Sequence, residues 1–115
     1  AMVYTSSGSA SGAQYDRPAY AMTKNAIHAL ARHVATRWGR DGIRANVICP
    51  GLIMTEAVGI YLDDKTVDGI KRRTPSKRLG EPSDIAGAVA FLASDDGAFV
   101  NGQVWHVNGG TQMRA

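Results

Sequence analysis

Gly42-Ile43-Arg44-Ala45-Asn46-Val47-Ile48-Cys49-Pro50-Gly51 is the stretch on which the fold turns. It is short, apolar at Ala45, Val47 and Ile48, and bounded by glycine on one side and Pro-Gly on the other. Its polar and apolar residues alternate poorly, so neither face is reserved for solvent. That pattern predicts a strand over residues 44–49, buried on both faces as strands inside parallel sheets are. Pro50-Gly51 predicts a turn directly after it.

Upstream, Ile27, Leu30, Ala31, Val34, Ala35 and Trp38 fall at helical spacing and predict an apolar stripe on a helix that follows Pro18. Gly39 and Gly42 end that helix, because glycine adopts the left-handed conformation without a Cβ clash. Residues 1–5 are apolar and β-prone and read as another strand. Residues 6–12 have the Ser/Gly composition of a loop. Downstream, residues 52–79 are mixed, with a helix expected over 67–73. Glu81-Pro82-Ser83-Asp84 opens a further helix whose apolar face is Ile85, Ala88, Val89 and Leu92. Residues 95–101 read as a turn-rich loop and 103–107 as a final strand. Strand, helix, strand, helix, strand is the order of an α/β fold with about three parallel strands joined by crossover helices.

Bulk properties narrow the class. The 115 residues make one domain at most, with 44% hydrophobic and 20% charged residues, as in ordinary globular proteins. One cysteine, Cys49, rules out a disulfide within the chain and fits a reducing, cytoplasmic setting. No apolar run reaches membrane-spanning length, so no membrane partner is expected. His28, His33 and His106 lack the spacing of a zinc site, and no metal is expected. The net charge is +3, and the basic residues cluster only at Lys71, Arg72, Arg73, Lys77 and Arg78. These read as a solvated helix end and loop. No nucleic-acid-binding motif accompanies them.

Tyr20 and Lys24 sit four residues apart at a helix start, on one face and one turn apart. Free tyrosine, with a pKa of about 10, is a poor base near neutrality. A neighbouring ammonium favours the phenolate, and the helix N-terminus acts in the same direction. Such a tyrosine can exchange a proton with an alcohol or carbonyl oxygen. A serine hydroxyl from the preceding loop can hydrogen-bond the same oxygen.

The surroundings of this pair resemble the short-chain dehydrogenase/reductase family. Val3-Tyr4-Thr5-Ser6-Ser7 is similar to the family's strand ending in its catalytic serine. Pro18-Ala19-Tyr20-Ala21-Met22-Thr23-Lys24-Asn25-Ala26 resembles its active-site helix start, and residues 42–51 its next strand and Pro-Gly turn. Residues 78–86 and 91–96 resemble its penultimate helix, and 101–110 its closing strand. The match runs in order through nearly the whole chain.

The resemblance implies the C-terminal part of a Rossmann-like, doubly wound parallel sheet. It implies hydride transfer between NAD or NADP and a small-molecule carbonyl or secondary alcohol. Tyr20 would be the general acid or base, Lys24 its electrostatic partner and a ribose ligand, and Ser7, thirteen positions before Tyr20, the group orienting the substrate oxygen. Ser6 and Ser9 are weaker candidates for that role. Pro50, Gly51, Ile53 and Thr55 would line the nicotinamide half of the cofactor, beside Tyr20 and Lys24. The full-length enzyme would be a homodimer or homotetramer.

The sequence departs from the family's pattern in lacking a G-x-G-x-x-G turn for the pyrophosphate, the residue choosing NAD or NADP, and the family's catalytic asparagine. Residues 1–115 are therefore expected to form a partial domain carrying the active-site and C-terminal half, inactive alone. The rival expectation is a non-catalytic oligomerisation module using residues 82–94 and 103–107. Cys49 is expected to be a small buried hydrophobe, His28 and His33 packed or solvated, His106 structural and Trp38 part of the core. Residues 52–77 resemble the family's substrate lid, where Met54, Val58, Ile60, Tyr61 and Leu62 would meet substrate or pack the lid.

Overall fold

The central stretch forms its strand and lies in the middle of a parallel sheet. The computed structural model describes residues 1–12 and 15–113. In it β1 (Met2–Thr5), β2 (Ala45–Pro50) and β3 (Val104–Val107) pair in parallel in the order β1-β2-β3. Tyr4 lies opposite Val47 and Cys49 opposite His106. Side chains alternate between the two faces of a strand, so Val47 and Cys49 share one face and Asn46 and Ile48 the other. The helix α1 (Pro18–Trp38) covers the first face, with Ala31 packed against Val47 and Cys49. The helix α4 (Pro82–Ala93) covers the second, where its Phe91 stacks on Trp105, the register partner of Ile48. Ala45 to Cys49 is buried throughout, which explains why its sequence does not alternate.

Two short helices, α2 (Glu56–Tyr61) and α3 (Asp64–Arg73), fill the segment between β2 and α4. The expected helix over 67–73 begins earlier, because Asp63 accepts from Thr66 N at 2.7 Å and so caps it. The loop after β1 contains one 3-10 turn, Gly8–Ser11.

The predicted stripe on α1 is only partly the buried one. Ala31 and Val34 are buried, but Leu30 is 47% and Trp38 37% exposed. Trp38 is thus not a core residue; it meets His33 edge-on at 5.8 Å and lies under the Arg37 guanidinium. His28 is buried instead. A polar residue inside and two apolar ones outside shifted the apparent phase of the pattern. On α4 the expected face holds, with Leu92 fully buried and Ile85, Ala88 and Val89 partly so.

The start of β2 is stitched to the loop before β3 by side chains. Arg44 donates to the carbonyls of Leu92 and Ser94, Asn101 Oδ1 accepts from Ala45 N, and Asn46 bonds both Val100 and Gln103. Gln103 N is thereby taken by Asn46, and β3 starts one residue later than its sequence suggests.

Candidate active site

The carboxyl ends of parallel strands and the loops that leave them form the usual crevice for ligands in open α/β sheets. Here the end of β1 meets the first turns of α1. Pro18 stands at the first helical position, where its missing N–H costs nothing. Tyr20 follows, 42% exposed, and Lys24 lies one turn on. The Lys24 Nζ is 5.8 Å from the Tyr20 ring centroid and donates to the Thr5 carbonyl at 3.0 Å. The Arg17 guanidinium lies 5.9 Å from the same ring. Tyr20 and Lys24, paired in sequence, are therefore paired in space, with their cation anchored to β1.

Ser7 is two residues past that anchor. Its Oγ accepts from Ser9 N at 3.2 Å and caps the 3-10 turn, which leaves its own hydroxyl hydrogen for another acceptor. Ser9 lies inside that turn. Asn25 Nδ2 ties the turn to α1 by donating to Ala10 O at 3.0 Å.

The residues after β2 form a second wall. Pro50 ends the strand, and Gly51 N donates to Val107 O at 3.0 Å. A Cβ on Gly51 would lie 2.7 Å from the Asn108 Cα, so only glycine lets the two strand ends approach. Ile53 pairs with Gly80 in an isolated parallel bridge, and Met54 N donates to Gly80 O at 2.8 Å. Thr55 Oγ1 caps α2 by accepting from Val58 N. Of the lid residues, Ile60 and Tyr61 point outward at 71% and 82% exposure, while Val58 and Leu62 are partly buried. A cavity of about 420 Å³ lies between Ile53, Leu79, Val107 and Asn108, with Lys77 and Arg78 at its wall. Arg78 grips Asp84 at 2.7 and 2.8 Å, holding that carboxyl well below the usual carboxylate range.

One cluster escaped the sequence reading. Ser6, 3% exposed, donates its hydroxyl to the Lys24 carbonyl at 2.8 Å, and His28 Nε2 lies 2.8 Å from Ser6 Oγ. Cys49 Sγ is 3.4 Å from His28 Nε2. Burial lowers the pKa of His28, with Arg32 and His106 acting in the same sense. Burial also raises that of Cys49 against smaller opposing bonds from Ser6 and Ser7. Only the buried face of α1 shared by Lys24 and His28, four residues apart, hints at this cluster in the sequence. Among the described residues no group of three or more His, Cys, Asp or Glu is gathered for a metal ion, and no helix is long and apolar enough to cross a membrane.

Residues 1–112 match the family model described as enoyl-(acyl carrier protein) reductase. A probable short-chain type dehydrogenase/reductase of Bradyrhizobium diazoefficiens is 44% identical over 91 residues, which are 79% of this chain and 32% of that protein. Two solved structures are similar with a TM-score of 0.89 each. One is a 4-hydroxyisoleucine dehydrogenase complexed with NADH, at 32% identity over 96% of this chain and 46% of that one. The other is a 7alpha-hydroxysteroid dehydrogenase complexed with NADH and 7-oxo glycochenodeoxycholic acid, at 35% identity over 94% and 42%. The chain spans about a third of the length of the curated relatives it matches.

Proposed function

The chain belongs to the short-chain dehydrogenase/reductase family, and from that premise we propose that it supplies the proton-transfer half of an NAD- or NADP-dependent oxidoreductase acting on a small-molecule carbonyl or secondary alcohol. The observation that carries this reading is the pairing of a half-exposed Tyr20 with a Lys24 ammonium 5.8 Å from its ring centroid and anchored on Thr5 O, at the carboxyl end of a parallel strand. Two of the similar structures are complexed with NADH, which supports the same cofactor class.

The residues fit the nicotinamide half of such a cofactor. Lys24 uses one N–H on Thr5 O and keeps two donors for ribose hydroxyls. Pro50, Gly51, Ile53 and Thr55 line the adjoining strand end, held in shape by the Gly51–Val107 and Ile53–Gly80 contacts. When bound, the nicotinamide supplies or takes the hydride. The chain's own work concerns the substrate oxygen. Tyr20 gives a proton to it in reduction and takes one from it in oxidation. Lys24 offsets the charge on the phenolic oxygen, and Ser7 donates its remaining hydroxyl hydrogen to orient the substrate. The sequence has no glycine-rich turn for the pyrophosphate, so residues 1–115 form the active-site and C-terminal part of the domain and are inactive alone.

Fluorescence titration of the chain with NADH and NADPH tests the cofactor half of the reading. Saturable binding below about millimolar cofactor supports it; no binding at that concentration assigns affinity to residues outside this chain. Tyr20→Phe in the full-length enzyme is expected to lower turnover about a thousandfold. Normal turnover in that variant would sink the assignment.

A second reading, assembly, has one specific support. Phe91 is 37% exposed and stacks on Trp105 at 5.3 Å on β3, an edge strand among the described residues, forming an apolar surface suited to a second copy.

A further inference from the structure

Lys24 and its neighbour Asn25 are held to the body of the domain at three points, and one of them leads to a buried imidazole. Its ammonium donates to Thr5 O. Its neighbour Asn25 donates to Ala10 O. Its backbone carbonyl accepts from the Ser6 hydroxyl at 2.8 Å, and that same hydroxyl oxygen lies 2.8 Å from His28 Nε2. Ser6 adjoins Ser7, so the knot sits between the serine and the Tyr20–Lys24 pair.

The proton inventory at Ser6 is decisive. A carbonyl can only accept, so the single Ser6 hydroxyl hydrogen is committed to Lys24 O. Ser6 Oγ must then accept from His28, which requires hydrogen on Nε2. Ser6 is 3% and His28 8% exposed, so water does not substitute for either partner. Cys49 also bonds Ser6, but a thiol is a weak partner; without a donor at position 28 the hydroxyl oxygen loses its stronger bond and the Ser6 rotor is held less firmly on Lys24 O.

We infer that His28 is a positioning residue for the reacting pair: as the Nε2–H donor to Ser6, it locks the Ser6 hydroxyl onto the Lys24 carbonyl and so fixes the turn of α1 that bears Tyr20 and Lys24 to the end of β1. The inference rests on the reading of Tyr20 and Lys24 given above. The groups facing His28 are Cys49 from β2, His106 from β3, Arg32 from its own helix and Ser6 from the loop after β1. Burial, Arg32 and His106 all disfavour the imidazolium and so favour the neutral ring. Cys49 Sγ at 3.4 Å is a weak second acceptor for the Nε2 hydrogen.

The test uses NMR of the whole chain and needs neither cofactor nor turnover, so it stands apart from the NADH titration and from Tyr20→Phe. Long-range nitrogen–proton correlation on wild type should give the Nε2–H tautomer at His28; an Nδ1–H tautomer overturns the inference without any variant. The carbonyl carbon resonance of Lys24 reports its hydrogen bond. It should move upfield in Ser6→Ala and His28→Leu and stay in place in His28→Gln, whose amide nitrogen reproduces Nε2–H. Amide exchange across residues 25–28 should quicken about fivefold in His28→Leu, the loss of one buried hydrogen bond, and recover in His28→Gln. In the full-length enzyme His28→Leu should lower kcat about tenfold at unchanged KM, with recovery in His28→Gln. A folded His28→Leu chain with an unmoved Lys24 resonance, or a glutamine variant that behaves like leucine, would show His28 to be an ordinary packed residue.

Discussion

Asn46 is 1% exposed with both ends of its amide engaged, Nδ2 on Val100 O at 2.8 Å and Oδ1 under Gln103 N at 2.9 Å. Truncation would leave the Gln103 N–H without this partner and the Val100 carbonyl with only the longer bond from Arg44 at 3.3 Å, losses of roughly 1–3 kcal/mol each. Asn46→Ala is expected to lower stability by about 3 kcal/mol in urea denaturation. His28 makes a different prediction at the same scale. Its folded pKa lies below the ordinary histidine value because burial, then Arg32 and His106, disfavour the charged ring. Below about pH 6.5 the unfolded chain binds the proton that the folded chain refuses, so stability falls as pH drops through that value. The fall ends where the folded ring also protonates. Urea midpoints measured from about pH 7.5 down to 5 should show this decline in wild type and a flatter profile in His28→Gln.

Among the elements, α4 shows how a helix start is fixed. Pro82 sits at its first position, and the Asp84 carboxylate accepts from Glu81 N at 2.8 Å while taking both arms of Arg78. One carboxylate thus closes the helix and pins the end of the lid segment over the cavity beside Ile53 and Leu79. The Arg78 fork, then the Glu81 N–H, hold Asp84 well below the ordinary carboxylate range. This stabilisation is fully present above the unfolded carboxylate value of about 4 and is lost as pH falls through the lower folded value. Thermal melting followed by circular dichroism should show Asp84→Asn less stable than wild type at neutral pH, with the two converging in strong acid. Equal melting at neutral pH would mean that the exposed pair contributes nothing, as many surface pairs do.

Over the whole molecule the core is thin. The radius of gyration is 15.1 Å, against about 13 Å for a compact domain of this length. Met22, Ile60, Tyr61 and Phe99 are largely exposed and Leu30 nearly half so. Among the described residues β1 and β3 form the two edges of the sheet. Met2 N and Ser6 N point to β2, so the intervening register turns the N–H groups of Val3 and Thr5 toward the open side of β1. Open edges and apolar faces together predict self-association. Native mass spectrometry at micromolar concentration should find dimers or larger species. Val3→Pro removes an outward N–H and leaves the β1–β2 bonds intact, so it should shift the distribution toward monomer if the β1 edge is the contact. A wild-type chain that stays monomeric would remove the support for assembly.

The sequence by itself determined the α/β class, the central strand, α4 and the face that it buries, and the spacing that unites Tyr20 with Lys24. Each follows from local periodicity, and two residues one helical turn apart need no tertiary information to meet. It left α2 unseen, because six residues bounded by loops carry too short a pattern, and it misjudged α1 at Leu30 and Trp38. The side of a helix that faces a sheet is set by contact, and contact at α1 chose His28. Ser6, Lys24, His28 and Cys49 come from three segments separated by up to 43 positions. No pattern along the chain relates them; only folding β1 and β2 side by side beneath α1 brings a serine hydroxyl between a lysine carbonyl and an imidazole.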